Sequence, residues 1–195
     1  MVKLPSMMKG WLNPGLNSEQ LMRRYSASGN NKWLCQLVDK HNHDIYHFLL
    51  TQSDKHLAED VVQSTWVKVI DKRQYFTAQT MFKAWLFRIA RNTLVDELRR
   101  LQRWQYDTVE MDQLESELLS SDPANTIDQQ DSLQQRFNLL LEQLPFLQRE
   151  AFVLQQDGFS IAEIASICGE QNETIKSRLR YARNYFKRHL EHLND

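Results

Sequence analysis

Apolar side chains recur at intervals of three and four residues through most of this 195-residue chain, and that spacing predicts helices. One pattern has an inner stripe of Leu57, Val61, Thr65 and Val69, flanked by Ala58, Val62 and Ile70. A longer one has the stripe Phe82, Trp85, Leu86, Ile89, Ala90, Thr93, Leu94 and Leu101. Because Gly occurs only 5 times and Pro only 4 times, composition also favours an all-α chain.

Polar residues at the ends of these patterns mark the expected helix starts in the N-terminal half. The predicted helices span about 18–27, 31–51, 54–71 and 80–104. Their expected N-caps are Asn17, Asn30, Ser53 or Asp54, and Thr80. A break at 72–79 separates the third helix from the fourth.

A second group of helices is predicted from about Asp131 onward. A leucine-rich pattern is interrupted at Pro145, where two helices are expected to meet. Ser160 then opens a capping box with Glu163, and Gly169 ends that short helix. A longer basic helix follows the turn at 170–172, so the order of elements predicts a helix-turn-helix.

Charge divides the chain further. The formal net charge of −1 argues against nucleic-acid binding, but the acidic residues are concentrated between 103 and 131, where Arg103 is the only basic residue. The predicted organisation is an extension (1–16), a first domain (17–104), a flexible acidic linker (105–130) and a second domain (131–195). A solvated tether is the favoured interpretation of the linker, although mimicry of nucleic acid inside a basic channel stays open.

Basic residues gather on one helix of each domain. Arg88, Arg91, Arg99 and Arg100 lie outside the apolar stripe of the 80–104 helix. On the last helix, the basic residues are Lys176, Arg178, Arg180, Arg183, Lys187 and Arg188, against Glu173 as the one acid through His189. Such an excess is typical of a helix that binds in a DNA groove.

Two runs in the first domain carry a family resemblance. They are Ala58-Glu59-Asp60-Val61-Val62-Gln63 and FKAWLFRIARNTLVDELRR, residues 82–100. Together they closely resemble region two of the extracytoplasmic-function (ECF) sigma factors of bacterial RNA polymerase. The resemblance implies that Glu59, Asp60 and Gln63 dock on the β′ clamp of core polymerase.

The same resemblance implies that residues 72–79 and the following helix read the opened minus-ten element. The matching positions in that helix are Trp85, Arg88, Asn92 and Arg99. Stacking rings beside cations suit a single strand, so Tyr75 and Phe76 are candidate stacking residues. Trp85 and Phe82 are expected in the core instead, because both lie on the apolar stripe.

The second domain resembles sigma region four. The matching residues are Leu144-Pro145, Glu150, Phe152, Leu154, Gly158-Phe159-Ser160, Glu163-Ile164-Ala165, Gly169 and Thr174 to Leu179. The residues implied to meet the minus-thirty-five element are Thr174, Lys176, Ser177, Arg178 and Arg180. Glu173 and Tyr181 depart from the family pattern, which usually has Gly and Arg there, so promoter specificity cannot be transferred.

Kinship also implies partners: promoter DNA, core RNA polymerase through its β′ clamp and β flap, and an anti-sigma factor. Two alternatives stay open at this point. A stand-alone helix-turn-helix regulator would bind duplex DNA without polymerase. A polymerase-bound interaction module, such as an inactive paralogue, would bind core without opening promoters.

Other function classes find little support. Walker, nucleophile-elbow, GxGxxG and HExxH motifs are absent, so we expect neither an enzyme nor a cofactor. His43 and His47 are spaced to share a helix face but lack a third ligand, and no metal is expected. Cys35 and Cys168 are expected as reduced, buried thiols. The chain has no apolar run long enough to insert into a membrane, and a cytoplasmic location is expected.

Overall fold

The computed structural model describes residues 15–77, 80–105 and 133–191. The first helices are α1 (Ser18–Ser28), α2 (Asn31–Leu50), α3 (Lys55–Asp71), a 3-10 turn (Arg73–Tyr75) and α4 (Phe82–Gln105). The second group is α5 (Leu133–Gln143), α6 (Phe146–Gln156), α7 (Ile161–Cys168) and α8 (Asn172–Glu191). These ranges contain no strand, and the all-α, two-part prediction is confirmed. Nearly all of the acidic linker and residues 1–14 of the extension lie outside the described residues.

Side-chain caps define three of the early helix starts, as the sequence predicts. Asn17 accepts a hydrogen bond from the Gln20 amide at 2.8 Å, and the Gln20 side chain accepts in return from the Asn17 amide. Asn30 and Asp54 accept equivalent bonds at 2.9 and 3.0 Å. Each cap satisfies an amide that the first helical turn leaves without a partner.

The start of α4 differs from the prediction, because Thr80 is not its cap. The Thr80 hydroxyl pairs with the Thr77 hydroxyl at 2.7 Å. The Phe82 amide, at the first residue of α4, instead donates to Glu19 of α1 at 3.0 Å. A carboxylate also favours the positive end of the helix dipole, so a residue distant in sequence fixes where α4 begins.

Helices α2, α3 and α4 enclose the larger core. Its fully buried members include Leu37, Ile45, Phe48, Val61, Val69, Phe82, Leu86 and Leu94. A polar side chain inside this bundle is paired: the Thr65 hydroxyl donates to the Val61 carbonyl at 2.7 Å. Because burial without a partner would cost free energy, this pairing allows a polar residue to occupy the predicted inner stripe.

The second group of helices forms the predicted helix-turn-helix. Helix α8 packs across α6 and α7, with a smaller core of Leu140, Leu144, Ala182, Tyr185 and Phe186. Gly169 ends α7 with φ of 72°, a left-handed conformation that glycine adopts without the Cβ penalty of other residues. After this turn, α8 packs across α7 and leaves basic residues such as Lys176 and Arg180 exposed.

The two groups of helices contact each other directly. Helix α7 packs against α4, and the rings of Phe87 and Phe159 meet edge to face with centroids 4.9 Å apart. Phe87 and Phe159 belong to the same continuous hydrophobic cluster. One face of α4 is thereby covered by the second domain.

Of the two cysteines that were predicted to be buried, one is buried and the other is exposed. Cys168 is buried at the end of α7, whereas Cys35 is exposed on α2. Cys35 was expected to be buried, but the inner face of α2 is formed by Leu37, His41, Ile45, Phe48 and Leu49. No helix within the described ranges is long and apolar enough to cross a membrane.

Replacing the α7 cap is expected to weaken the fold measurably. The Ser160 hydroxyl accepts from the Glu163 amide at 3.3 Å and donates to its carboxylate at 2.6 Å. Ser160→Ala removes both bonds, so the free energy of unfolding should fall by about 1 kcal/mol in urea denaturation. Ser166→Ala, at an exposed position within α7, is the matched control and should not destabilise the protein.

Candidate nucleic-acid interfaces

A cavity of about 580 Å³ opens between the end of α3 and the outer side of α4. Its lining residues are Lys68, Lys72, Trp85, Arg88, Ile89, Arg91, Asn92, Thr93, Val95, Asp96 and Arg99. The predicted minus-ten residues Arg88, Asn92 and Arg99 therefore line the same cavity, with Asn92 one helical turn after Arg88 and Arg99 two turns after Asn92. The cavity joins hydrogen-bonding, cationic and aromatic side chains on one open surface.

Cations dominate the rim of this cavity. Lys68 lies in the last turn of α3 and Lys72 directly follows that helix, and both line the opening together with the arginines of α4. Lys68 approaches Asp96 at 3.9 Å, an exposed pair that neutralises only part of the charge. Lys72 lies in the 72–79 segment that the family resemblance assigns to the minus-ten element, whereas Lys68 was not predicted. The position of Lys68 at the end of a helix that precedes α4 in sequence was the available signal.

The two predicted stacking residues have opposite environments. Tyr75 is 78% exposed in the 3-10 turn that follows α3. Phe76 is only 8% exposed, and its ring centroid lies 5.4 Å from that of Trp85 and 6.0 Å from that of Phe82. Phe76 is therefore a core residue in this structure, and its assignment as a base-stacking residue is wrong for this conformation.

Trp85 combines two environments. One side of its ring packs against Phe76 and Phe82, as the apolar stripe predicts, and it also lines the cavity. Met81, directly before α4, is exposed and was missed by the sequence analysis. Unbranched apolar side chains of this kind can insert between bases, so the exposed Met81, like Tyr75, offers apolar contact surface in the segment that connects α3 to α4.

A separate surface on α3 carries the predicted polymerase-binding residues. Glu59, Asp60 and Gln63 are all exposed and lie within one turn of one another. Glu59 approaches Lys55 at 3.9 Å, and both side chains remain largely in solvent. Val67 is exposed one turn beyond Gln63. This valine stands outside the inner stripe of the helix, which was the sequence signal for an apolar contact here.

The predicted minus-thirty-five residues lie on the first turns of α8. Lys176, Ser177 and Arg180 are exposed, and Thr174 is partly buried. Glu173 pairs with Lys176 at 2.7 Å on the surface. These groups project from the N-terminal part of the second helix of the motif, the part that contacts base edges in helix-turn-helix proteins.

Arg178 differs from its neighbours on α8. One guanidinium nitrogen donates to Glu170 at 2.6 Å, and the side chain is only 10% exposed. Its Nη1 atom is buried and has no hydrogen-bond partner within the described part of the chain. The ion pair ties α8 to the turn that follows α7, so Arg178 orients the helix in this structure.

Two arginines of α4 are engaged in ion pairs. Arg91 is directed toward the second domain and pairs with Glu150 at 3.0 Å. Arg100 pairs with Glu97 on the same helix at 2.7 Å. The basic face predicted from sequence is therefore formed mainly by Arg88 and Arg99, supplemented by the two lysines that line the cavity.

Metal ligation finds no support among the described residues. The rings of His43 and His47 lie edge to face with centroids 4.1 Å apart, but the described part of the chain brings no group of three potential ligands together. Burial raises the pKa of Cys168 well above its usual range, and the nearby Glu150 carboxylate raises it further. A thiol that stays protonated is a poor metal ligand.

Two family models match separate parts of the chain, one in each predicted domain. The Sigma-70 region 2 family model matches residues 37–104, and the Sigma-70 region 4 model matches residues 134–185. The cavity and the acidic surface of α3 lie in the first match, and the exposed residues of α8 lie in the second. The finer domain limits predicted at 17–104, 105–130 and 131–195 stay predictions.

Several relatives match most of the chain. The chain is 30% identical over 176 residues to the ECF RNA polymerase sigma-E factor of Escherichia coli, covering 85% of this chain and 91% of that protein. It is 34% identical over 128 residues to the ECF RNA polymerase sigma factor EcfG of Rhodopseudomonas palustris, covering 65% and 67%.

Solved structures show similarity across both domains. The sigma factor RpoE in complex with the anti-sigma factor NepR from Bartonella quintana matches with a TM-score of 0.63 and 32% identity, covering 81% of this chain and 96% of that one. CnrH in complex with the cytosolic domain of CnrY gives a TM-score of 0.63 at 24% identity, covering 90% and 98%. The second match concerns the fold alone.

Proposed function

Because the chain belongs to the extracytoplasmic-function sigma factors of bacterial RNA polymerase, we propose specific roles for its exposed surfaces in promoter-directed initiation. The acidic surface formed by Glu59, Asp60 and Gln63 binds the β′ clamp of core polymerase. The cavity between α3 and α4 holds the opened minus-ten strand. Helix α8 binds the minus-thirty-five duplex, and the helices before it face the β flap.

The cavity is the observation that carries this proposal. It places Arg88, Asn92 and Arg99 in one opening lined by Trp85, with the exposed Tyr75 close in sequence. A melted strand presents phosphates and unstacked bases, and cations beside aromatic rings bind both. A duplex-only regulator has no need for such a cavity in addition to its helix-turn-helix.

The two domains then recognise different promoter elements. On α8, Lys176, Ser177 and Arg180 are available for groove and phosphate contacts, while Arg178 holds the helix against Glu170. In the first domain, the exposed side chains suit single-stranded DNA. The protein acts as an initiation factor, and we expect no catalytic activity of its own.

A protein partner that controls access to polymerase completes the proposal. One of the similar solved structures is a complex of a sigma factor with an anti-sigma factor. We expect an anti-sigma factor to bind this chain as well. Its action belongs in the cytoplasm, where core polymerase and the promoter are found.

Binding assays with and without polymerase test the assignment against a stand-alone regulator. The sigma proposal predicts co-purification with core polymerase and promoter-specific DNA binding by the reconstituted pair. A regulator would shift duplex DNA tightly by itself. Tight, sequence-specific binding of duplex DNA without polymerase, together with failure to bind core, would contradict the proposal.

Removing a cation from α8 should weaken binding of the minus-thirty-five duplex and reduce its salt dependence. Arg180 is exposed near the start of α8. If it contacts one phosphate, Arg180→Ala should reduce the slope of log K against log salt by about 0.9 for the polymerase-bound protein. Arg23→Ala, on the exposed side of α1, is the control. An unchanged slope for Arg180→Ala would remove this residue from the interface.

A further inference from the structure

Helix α1 is hydrogen-bonded to both ends of the segment that connects α3 to α4. At the first end, the Ser26 hydroxyl donates to the Arg73 carbonyl at 2.8 Å, in the 3-10 turn that follows α3. At the second end, the Phe82 amide at the start of α4 donates to the Glu19 carboxylate at 3.0 Å. Glu19 and Ser26 are seven residues apart, so they lie on nearly the same face of α1, about 10 Å apart along its axis. One face of α1 therefore holds the chain at both ends of this segment.

The 3-10 turn has a second contact with α1 through its first residue. The guanidinium of Arg73 lies 5.8 Å from the ring centroid of Tyr25, within the range of a cation–π attraction. Arg73 also donates from Nη1 to the Ile70 carbonyl near the end of α3 at 3.3 Å. These contacts fix the side chain of the residue whose carbonyl Ser26 binds. Tyr75, the exposed candidate for base stacking, lies two residues further along the same turn.

A turn of three residues needs contacts of this kind to keep one conformation. The hydrogen-bond geometry of a 3-10 turn is poorer than that of an α-helix, and Gln74 and Tyr75 are exposed to solvent. Ordering an exposed segment also costs backbone entropy, which its own few contacts offset only in part. We therefore expect the bonds from α1 to determine the position of the Tyr75 ring.

Helix α1 is itself fixed to the first domain. Leu21, Met22 and Tyr25 of α1 are buried in the larger core. The Ser18 hydroxyl and Nε2 of His41 on α2 form a buried hydrogen bond of 2.7 Å. Side chains on an element that packing holds in place can position another group accurately. The helix is therefore a firm support for the segment that connects α3 to α4.

We propose that Ser26 and Glu19 are positioning residues for promoter opening. Ser26 holds the turn that presents Tyr75 to the melted strand, and Glu19 fixes the start of α4, directly after the exposed Met81. Neither Ser26 nor Glu19 lines the cavity, so each acts through the groups that it holds. A ring that is already in place loses less entropy when it stacks on a base, which favours capture of the strand. The inference rests on the proposed function, because it requires this segment to bind the opened minus-ten strand.

Hydrogen exchange of single amides, measured by NMR on the free full-length protein, tests whether α1 holds the segment. Glu19→Ala leaves the Phe82 amide without its acceptor, so this amide should exchange about fivefold faster, or more, than in the wild-type protein. Glu19→Gln is the matched control, because it removes the same charge but keeps an acceptor oxygen, and it should retain most of the protection. Wild-type exchange in Glu19→Ala, or equal loss of protection in both variants, would overturn the role of Glu19.

Promoter opening by the polymerase-bound protein tests the role of Ser26. The probe is a duplex that yields start-specific transcripts with the wild-type protein, with 2-aminopurine in the non-template strand of its minus-ten element. Ser26→Ala removes one hydrogen bond to the turn, so opening should slow by about fivefold. Ser28→Ala is the matched control, because the Ser28 hydroxyl donates to the Arg24 carbonyl within α1. It should open the promoter at the wild-type rate, and neither variant should change the affinity for core polymerase.

The same assay tests Glu19. Loss of the bond to the Phe82 amide in Glu19→Ala should also slow opening by about fivefold, and Glu19→Gln should open the promoter at close to the wild-type rate. Rescue by glutamine would show that opening requires an acceptor at this position, because glutamine does not restore the charge. Equal opening rates in the two variants would overturn the positioning role of Glu19.

The double variant Ser26→Ala/Tyr75→Ala separates positioning from general damage to the fold. If Ser26 acts by holding the Tyr75 ring, its loss has no effect once the ring is absent, so the double variant should open the promoter at the rate of Tyr75→Ala alone. Wild-type opening by Ser26→Ala, or multiplied losses in the double variant, would overturn the positioning role. If the wild-type protein opens no promoter with core polymerase, the proposed function fails and the positioning role fails with it, while the exchange rates still decide whether α1 holds the segment.

Discussion

Reversing the charge of the α3 surface should abolish stable association with core polymerase. Glu59 and Asp60 are exposed side by side, and the proposed role places them against the β′ clamp. Lysines at both positions would oppose a surface that accepts acids, and like-charge contacts cost several kcal/mol. We therefore expect Glu59→Lys/Asp60→Lys to raise the Kd for core by at least about 100-fold in a fluorescence anisotropy titration.

The same substitutions should leave the fold nearly unchanged. The ion pair of Glu59 with Lys55 is long and exposed and contributes little to stability. Asp39→Lys, on the exposed side of α2, introduces the same charge change as Glu59→Lys alone, at a position away from the proposed interface. Equal weakening by Asp39→Lys would assign the loss to net charge, and unchanged binding by the double variant would exclude this surface.

Loss of the Tyr75 ring should slow promoter opening. Tyr75 is 78% exposed and follows Lys72, a lining residue of the cationic cavity, by three positions, so its ring is available to stack on a base of the melted strand. A stacked base contributes about 1–3 kcal/mol, so Tyr75→Ala should reduce opening by about 5- to 150-fold. The rate can be followed by the fluorescence of 2-aminopurine placed in the non-template strand of the minus-ten element.

Tyr75→Phe is the decisive control for stacking. It keeps the ring and removes only the hydroxyl, so opening should stay near the wild-type rate. A phenylalanine variant as slow as the alanine variant would show that the hydroxyl acts through a hydrogen bond. Wild-type opening by Tyr75→Ala would exclude the residue from strand capture. Phe76→Ala cannot replace this test, because Phe76 supports the core beneath Trp85.

Sequence reasoning was most successful where structure is determined by neighbours along the chain. Asn17, Asn30 and Asp54 cap helices because a cap and its acceptor amide are two or three residues apart. The Ser160 capping box and the left-handed Gly169 follow from the same local geometry. The helix-turn-helix could be recognised from these signals and from the basic excess on its second helix.

Features that depend on distant contacts were not visible in the sequence. Glu19 replaces Thr80 at the start of α4 because folding brings α1 to that helix end. Phe76 is buried because Phe82 and Trp85 surround it, although its position in a break between helices suggested exposure. A helical stripe identifies which face of one helix is apolar, but it does not identify what packs against the other faces.

The arginines of the candidate sites also show that contacts between residues distant in sequence could not be predicted. Arg88, Arg91 and Arg178 are equivalent by residue type, and the sequence places each on a polar helix face. The structure leaves Arg88 exposed, pairs Arg91 with Glu150 in the other region, and pairs Arg178 with Glu170. Family resemblance indicated which helices bind DNA, whereas the pairing of individual cations required the folded chain.

Transcription by core polymerase from a library of promoter sequences is the most direct test of the central claim. The account predicts that core polymerase with this protein produces transcripts with defined start sites from a subset of the library. Core polymerase alone should produce none at those sites. A protein that binds core but yields no start-specific transcript from any sequence would contradict the claim, and would identify an interaction module that cannot open promoters.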